Sequence, residues 1–215
     1  LLTLFFLLPA LGLAQRLSPE AKISVMTLGP WQGELYSAFG HSAFRVSDPA
    51  KGIDYAYNYG VFDFNQPKFY LNFARGYLYY KLGVYPYRNF EYSYIYHNRY
   101  VHEQVLNLTA PQKQRLFDSL QWNARPENQF YRYDYFYNNC ATKIPGVIQK
   151  VFKDSVTFDG TYIQTDYTIR ELTDALQRRE LVIPLPTAAT SASPSPADAA
   201  APAELGVPVV MRGWA

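Results

Sequence analysis

One cysteine in 215 residues, Cys140, excludes an internal disulfide framework. Three histidines, His41, His97 and His102, are too few and too poorly spaced for a zinc centre, so no metal and no cofactor is expected. Charged residues make up only 18% of the chain with a net charge of +2, and no Lys/Arg block interrupts it, which argues against a nucleic-acid partner. No apolar run is long enough to cross a bilayer. The longest, Leu1 to Leu13, ends in Gly12-Leu13-Ala14 and reads as the core and cleavage site of a secretory signal, with the chain starting inside it. Export follows from that reading. Outside the cytoplasm a lone cysteine is intermolecular, inert or catalytic.

What the chain has in excess is aromatic: 20 Tyr and 14 Phe. A phenol joins an apolar body to a wet end, which suits a groove for an amphipathic substrate or a surface near a bilayer, although a tyrosine-rich sheet explains most of them equally well. The composition divides the chain into 1–14, a signal peptide, 15–185, a folded domain, and 186–215, an Ala/Ser/Pro-rich tail with too little apolar surface to order itself.

The domain is organised around Cys140. Before it, Tyr131, Tyr133, Tyr135 and Tyr137 alternate with other residues as in an extended segment. After it, Ile144, Val147, Ile148, Val151 and Phe152 recur with helical period, and Cys140 falls on the same stripe. The cysteine is therefore expected where an extended segment becomes a helix, with Asn138 or Asn139 as the cap and the positive end of the helix dipole favouring thiolate. Pro145 predicts a kink or a restart. A buried, inert thiol fits the same pattern.

Upstream, Ile23 to Leu28 reads as a strand. His41 to Val46 and Ile53 to Tyr59 read as a hairpin in which Val46 faces Ile53, Ala43 faces Ala56 and His41 faces Asn58. A short helix is expected from Pro67 to Ala74 with Gly76 ending it. Strands are expected over Tyr77 to Tyr87, Asn89 to Tyr96 and, half-buried, Val101 to Leu108. Thr109 and Gln112 form a capping box for a helix burying Leu116, Phe117 and Leu120. Asp159-Gly160 marks a turn, and Thr168 with Glu171 opens a last helix.

A thiol gains reactivity when an imidazole takes its proton and is itself held by a third polar group. Cys140 as nucleophile, His41 as general base and acid, and Asn58 as orienter make such a set. The Cys140 N–H together with the side chain of Asn139, Tyr137 or Ser42 would bind substrate as an oxyanion site. A satisfied strand histidine is the competing reading of His41.

Four blocks carry a resemblance. They are Gly40-His-Ser-Ala-Phe-Arg-Val46, Tyr57-Asn-Tyr-Gly-Val-Phe-Asp-Phe64, Asn98-Arg99 followed by Gln104-Val-Leu-Asn-Leu-Thr109, and Tyr131-Arg-Tyr-Asp-Tyr-Phe-Tyr-Asn-Asn-Cys-Ala-Thr142. In this order and spacing they resemble the N-terminal periplasmic domain of Lnb-type lipoprotein N-acyltransferases, over roughly Ile23 to Leu176. The resemblance implies an α+β, circularly permuted papain-like fold with an antiparallel sheet packed against helices and the catalytic cysteine at a helix N-terminus. It implies a periplasmic or cell-envelope location in a bacterium and matches the family's histidine to His41 and its cysteine to Cys140. The implied reaction moves an acyl chain from a lipoprotein through a thioester on Cys140 to the lipoprotein's α-amine. The implied partners are bacterial lipoproteins or phospholipid acyl chains, and a membrane surface. Family members often continue into membrane-spanning helices; here nothing after Leu185 is expected to span, and the tail after Arg179 departs from the family's pattern. A cysteine hydrolase acting on peptide or lipid ester, and a non-catalytic lipid- or lipoprotein-binding module, are the competing functions.

Overall fold

The computed structural model describes residues 15–31, 33, 37–63, 65–158, 166–168, 170, 171 and 174. The expected signal peptide, the Asp159-Gly160 turn, the body of the helix after Thr168 and the 186–215 tail lie outside them. At the start of that helix, Thr168 and Glu171 do exchange capping hydrogen bonds.

The described residues form an α+β fold, a six-stranded antiparallel sheet with four helices. The strands are β1 (Lys22–Leu28), β2 (His41–Asp48), β3 (Ile53–Val61), β4 (Leu78–Pro86), β5 (Val101–Val105) and β6 (Phe130–Tyr133), in the order β5-β1-β2-β3-β4-β6. The helices are α1 (Phe69–Ala74), α2 (Tyr87–Tyr96), α3 (Ala110–Asn123) and α4 (Cys140–Phe152).

Period-two alternation sorts the strands' side chains between two cores. Ile23, Val25, Phe44, Val46, Tyr57 and Tyr59 pack with Leu116, Phe117 and Leu120 of α3 and with Ile144, Val147 and Phe152 of α4. Met26, Leu28, Ala43 and Ala56 meet Tyr87, Phe90 and Tyr94 of α2 on the other face. Burying each large apolar side chain contributes about 1.5–3 kcal/mol before entropy is counted. On the α2 face, Arg45 bonds Asp54 of β3 and Glu103 of β5, both at 2.8 Å, and stacks over Tyr87, so one guanidinium joins four elements.

Several expectations need correction. Asn89 to Tyr96 is the body of α2, not a strand. Its aromatic composition suggests β structure, but Tyr87, Phe90 and Tyr94 fall at i, i+3 and i+7, and burying that face decides the outcome. The β2–β3 register is shifted by two residues from the symmetric hairpin. Pro49–Lys51 form a tight 3-10 turn closed by Gly52 at φ 63°, so Asp48 pairs with Ile53, Val46 with Tyr55 and Arg45 with Ala56. A slip of two keeps every side chain on its face. Strand β5 stops at Val105 and is a largely exposed edge rather than half-buried. Extended structure before Cys140 ends at Tyr133, because Asp134 Oδ1 accepts the N–H groups of Phe136 and Tyr137 and turns the chain. Pro145 neither ends nor restarts α4, which continues from Cys140 to Phe152.

The residues ahead of β1 are strapped down by polar bonds. Ser18 donates its N–H and its hydroxyl to the two oxygens of buried Asp48, each at 2.7 Å, and Lys113 of α3 donates to the carbonyls of Pro19 and Ala21. Burial alone would raise the Asp48 pKa, but the two Ser18 bonds outweigh it and hold the carboxyl below its ordinary value. Asp48→Ala is expected to destabilise the fold by about 1–3 kcal/mol in chemical denaturation. Because the folded-state pKa is lowered, this contribution is complete above the ordinary carboxylate range and is lost as pH falls below about 4. Equal stability of native and variant from pH 7 down to that range would contradict the strap.

Candidate functional site

The site is built where α4 begins. Asn139 caps the helix: its Oδ1 accepts the N–H groups of Ala141 and Thr142, both at 2.9 Å, while Thr142 Oγ1 accepts the Asn139 N–H at 2.8 Å. This reciprocal box places Cys140 as the first helical residue. Cys140 is 9% exposed, with the backbone N–H groups of Ser42 and Ala141 favouring the thiolate.

His41 opens β2 opposite Leu28, on the face that α2 covers. Its Nε2–H donates to Asn58 Oδ1 from β3, one diagonal step along the sheet. The other ring nitrogen is left for the thiol, with which the imidazole is hydrogen-bonded. The cysteine thus comes from the helix on one side of the sheet, while the histidine and asparagine come from strands whose side chains point to the other.

The two sides meet at Gly60. This residue has φ +94° and sits at the bulge between Tyr59 and Val61 where β3 shifts its register against β4. A Cβ there would lie 3.8 Å from Cys140 Cβ and 4.0 Å from His41 Cε1, so a side chain would sit against both reactive groups on a backbone that disfavours one.

Burial opposes charge on both partners, and their mutual attraction and hydrogen bond outweigh it. The Cys140 pKa is lowered, helped by the Ser42 and Ala141 N–H groups, and the His41 pKa is raised, with the Asn58 bond contributing. Both shifts move the pair toward thiolate and imidazolium. Arg99, whose guanidinium lies 4.4 Å over the Tyr94 ring and donates to the Gly29 carbonyl at 2.7 Å, is the cation that works against His41.

Around the pair stand phenols that sequence reasoning did not single out: Tyr94 of α2 and Tyr131 and Tyr133 of β6. Each has its pKa raised by burial and by the charge on Cys140, so each stays an O–H donor at neutral pH. The Tyr131 hydroxyl is buried with only the Gly60 N–H approaching it. Tyr131 and Tyr133 were legible only as members of a strand pattern, and Tyr94 was hidden by the strand reading of its helix. Beside Asn58, a cavity of about 260 Å³ is lined by Tyr85, Asn89, Phe90, Ser93 and Tyr94.

The three residues expected to carry chemistry are thus brought together. The three side chains offered as substrate contacts are placed differently from one another. Asn139 is occupied by the cap and donates its amide to the Tyr135 carbonyl at 2.8 Å. Tyr137 is 77% exposed on the turn before the helix. Ser42 reaches the sulfur through its backbone N–H, while its buried hydroxyl has no partner. His97 stacks on Trp31, and His102 is exposed on β5.

Residues 14–175 match the family described as the Lnb N-terminal periplasmic domain. The chain belongs to that family. As an Lnb N-terminal periplasmic domain it is an exported protein of the periplasm or cell envelope. No curated protein and no solved structure matches the chain. Both members of the pair, His41 and Cys140, fall inside the matched span, as do Asn58 and Gly60.

The electrostatics of this Lnb domain can be read by alkylation. With the Cys140 pKa lowered and the His41 pKa raised, the rate of iodoacetamide modification should rise and level off at a lower pH than for a free cysteine. In His41→Ala the inflexion should move upward, because burial is then opposed only by the two backbone N–H groups. A native inflexion at the free-cysteine value, unmoved by His41→Ala, would contradict the ion pair.

Proposed function

We propose that this domain is a cell-envelope thiol acyltransferase, moving an acyl chain of a bacterial lipoprotein, by way of a thioester on Cys140, to that lipoprotein's α-amine. The observation that carries the reading is the clamped pair: a thiol with two backbone N–H donors, facing an imidazole whose far side is held by Asn58. The accompanying fold reading, a circularly permuted papain-type enzyme, is supported by the histidine strand preceding the cysteine helix in the chain and by the cysteine opening that helix.

In the first half-reaction the Cys140 thiolate attacks the ester carbonyl carbon of the diacylglyceryl group. A C–S bond forms and the carbonyl electrons move to oxygen. In this reading the Cys140 N–H holds that oxyanion together with the Tyr131 hydroxyl, a buried donor whose pKa is raised in part by Cys140. The ester C–O bond then breaks, and the His41 imidazolium gives its proton to the departing glyceryl oxygen. In the second half, the neutral α-amine attacks the thioester, neutral His41 takes the amine's proton, and the thiolate leaves as the amide forms. Asn58 keeps the ring orientation through both transfers by accepting Nε2–H in each protonation state. A thioester favours an amine over an oxygen nucleophile, and the wall of Tyr94, Tyr131 and Tyr133 limits the water that would otherwise hydrolyse it.

Incubation with a diacylated lipopeptide, followed by fragmentation mass spectrometry that locates each acyl chain and assay of free fatty acid, separates the outcomes. Transfer leaves the peptide's mass unchanged while one acyl chain moves from ester to amide; hydrolysis releases free fatty acid; a binding module does neither. Transfer is expected, abolished in Cys140→Ala and slowed about 10²–10⁴-fold in His41→Ala. Tyr131→Phe should slow transfer by roughly 10²-fold while leaving the alkylation rate of Cys140 intact. Fatty acid release without amide would replace the transferase by a hydrolase, and an intact lipopeptide would remove the enzymatic reading.

A further inference from the structure

Between Asp63 and Glu91 the chain has no acidic residue, yet it holds four cations, Lys68, Arg75, Lys81 and Arg88. The same stretch carries α1, a helix with no buried residue. Tyr70, Leu71 and Phe73 are 76%, 44% and 53% exposed, and Tyr77 and Tyr79 follow at 59% and 55%. Lys68 immediately precedes α1, Arg75 immediately follows it, and Arg132 lies over the Tyr77 ring at 5.8 Å. Large apolar and aromatic groups standing in water, framed by cations with no acid among them, have the chemistry of a surface that meets a bilayer interface with anionic headgroups.

A second observation links this surface to the thiol. The inward ring of α1, Phe69, stacks on Phe62 at 6.1 Å; Phe62 meets Tyr80 at 5.2 Å; Tyr80 meets Tyr133 at 4.5 Å. Tyr133 borders Gly60 beside Cys140 and His41. An unbroken row of rings therefore runs from the exposed helix to the reactive sulfur. Of the other exposed aromatic groups, Tyr92, Ile95 and Tyr96 on α2 have Glu91 beside them and rings that lead to His97 and Trp31 rather than to the thiol, and Tyr135, Phe136 and Tyr137 follow Asp134.

We propose that α1 and the Tyr77–Tyr79 segment seat this domain on an anionic bilayer, and that the Phe69–Phe62–Tyr80–Tyr133 row walls the path by which an acyl chain reaches Cys140 from it. The inference rests on the acyl-transfer reading and names the surface from which that site is supplied. Among the described residues no helix is long and apolar enough to cross a membrane, so contact by these residues is peripheral.

The test is flotation of the chain with vesicles of phosphatidylcholine alone or phosphatidylcholine with phosphatidylglycerol. The native chain should float with the anionic vesicles and be released by salt. Tyr70→Ser/Leu71→Ser/Phe73→Ser and, separately, Lys68→Glu/Arg75→Glu should each weaken flotation by roughly tenfold or more. Both variants should keep the native alkylation rate at Cys140, which shows that the site is still folded. A tryptophan at Tyr70→Trp should shift its emission to the blue on vesicle addition, and one at Tyr92→Trp should not. Flotation unchanged by both variants, a blue shift at Tyr92→Trp alone, or no flotation of the native chain would overturn the proposal. So would concentration-dependent self-association that the triple variant abolishes in the absence of vesicle binding, because it would assign the face to a second copy. Acylation of Cys140 from lipopeptide in detergent micelles, with no vesicle binding, would remove the docking surface and leave the acyl-transfer reading standing.

Discussion

The hydrogen bond from His41 to Asn58 is the constraint on which the site depends. It consumes one ring nitrogen, fixes the imidazole plane and leaves the other nitrogen facing Cys140. It forms only because β2 and β3 present both side chains on the face opposite the cysteine's helix, and the two faces meet at Gly60. Cys140 is held to the same point independently by the Asn139 cap and the burial of Ile144, Val147 and Phe152 beneath α4. Strand, bulge and helix each limit a different degree of freedom of the pair. Together they let the imidazole outweigh the burial that would by itself raise the thiol pKa.

The parts legible in the sequence are those governed by periodicity and local hydrogen bonding. The Thr109–Gln112 box forms and α3 buries Leu116, Phe117 and Leu120, because capping and a 3.6-residue period involve only near neighbours. The start of α4 at Cys140 was visible for the same reason. His41 and Asn58 were placed on one face despite a wrong register, since a slip of two residues preserves the side-chain alternation. Less visible was anything set by tertiary contact. The Gly60 bulge depends on how β4 pairs, Tyr94 reaches the thiol only because its segment is a helix, and Asn139's choice between cap and substrate contact depends on the turn that Asp134 imposes.

The abundance of tyrosine has three separate explanations. Tyr57 and Tyr59 are core residues; burial pushes the Tyr59 pKa up to about 12 although Asn123 donates to its hydroxyl at 2.7 Å. Tyr94, Tyr131 and Tyr133 surround the thiol, where raised pKa values keep them as donors beside the sulfur. Tyr70, Tyr77 and Tyr79 are exposed among cations. Membership of the Lnb N-terminal periplasmic domain family puts all three groups in the periplasm or cell envelope, and under the proposed acyl transfer such rings would tolerate both lipid and water.

The most direct test of the account is the intact mass of the native protein after incubation with a diacylated lipopeptide whose α-amine has been acetylated. With the acceptor blocked, the first half-reaction should run and the second should stall. One acyl mass should then accumulate on the protein, removable by hydroxylamine and missing from Cys140→Ala. An unmodified protein under these conditions, with a thiol that also resists alkylation, would mean that Cys140 is a buried structural residue and that the pair with His41 does not make it a nucleophile.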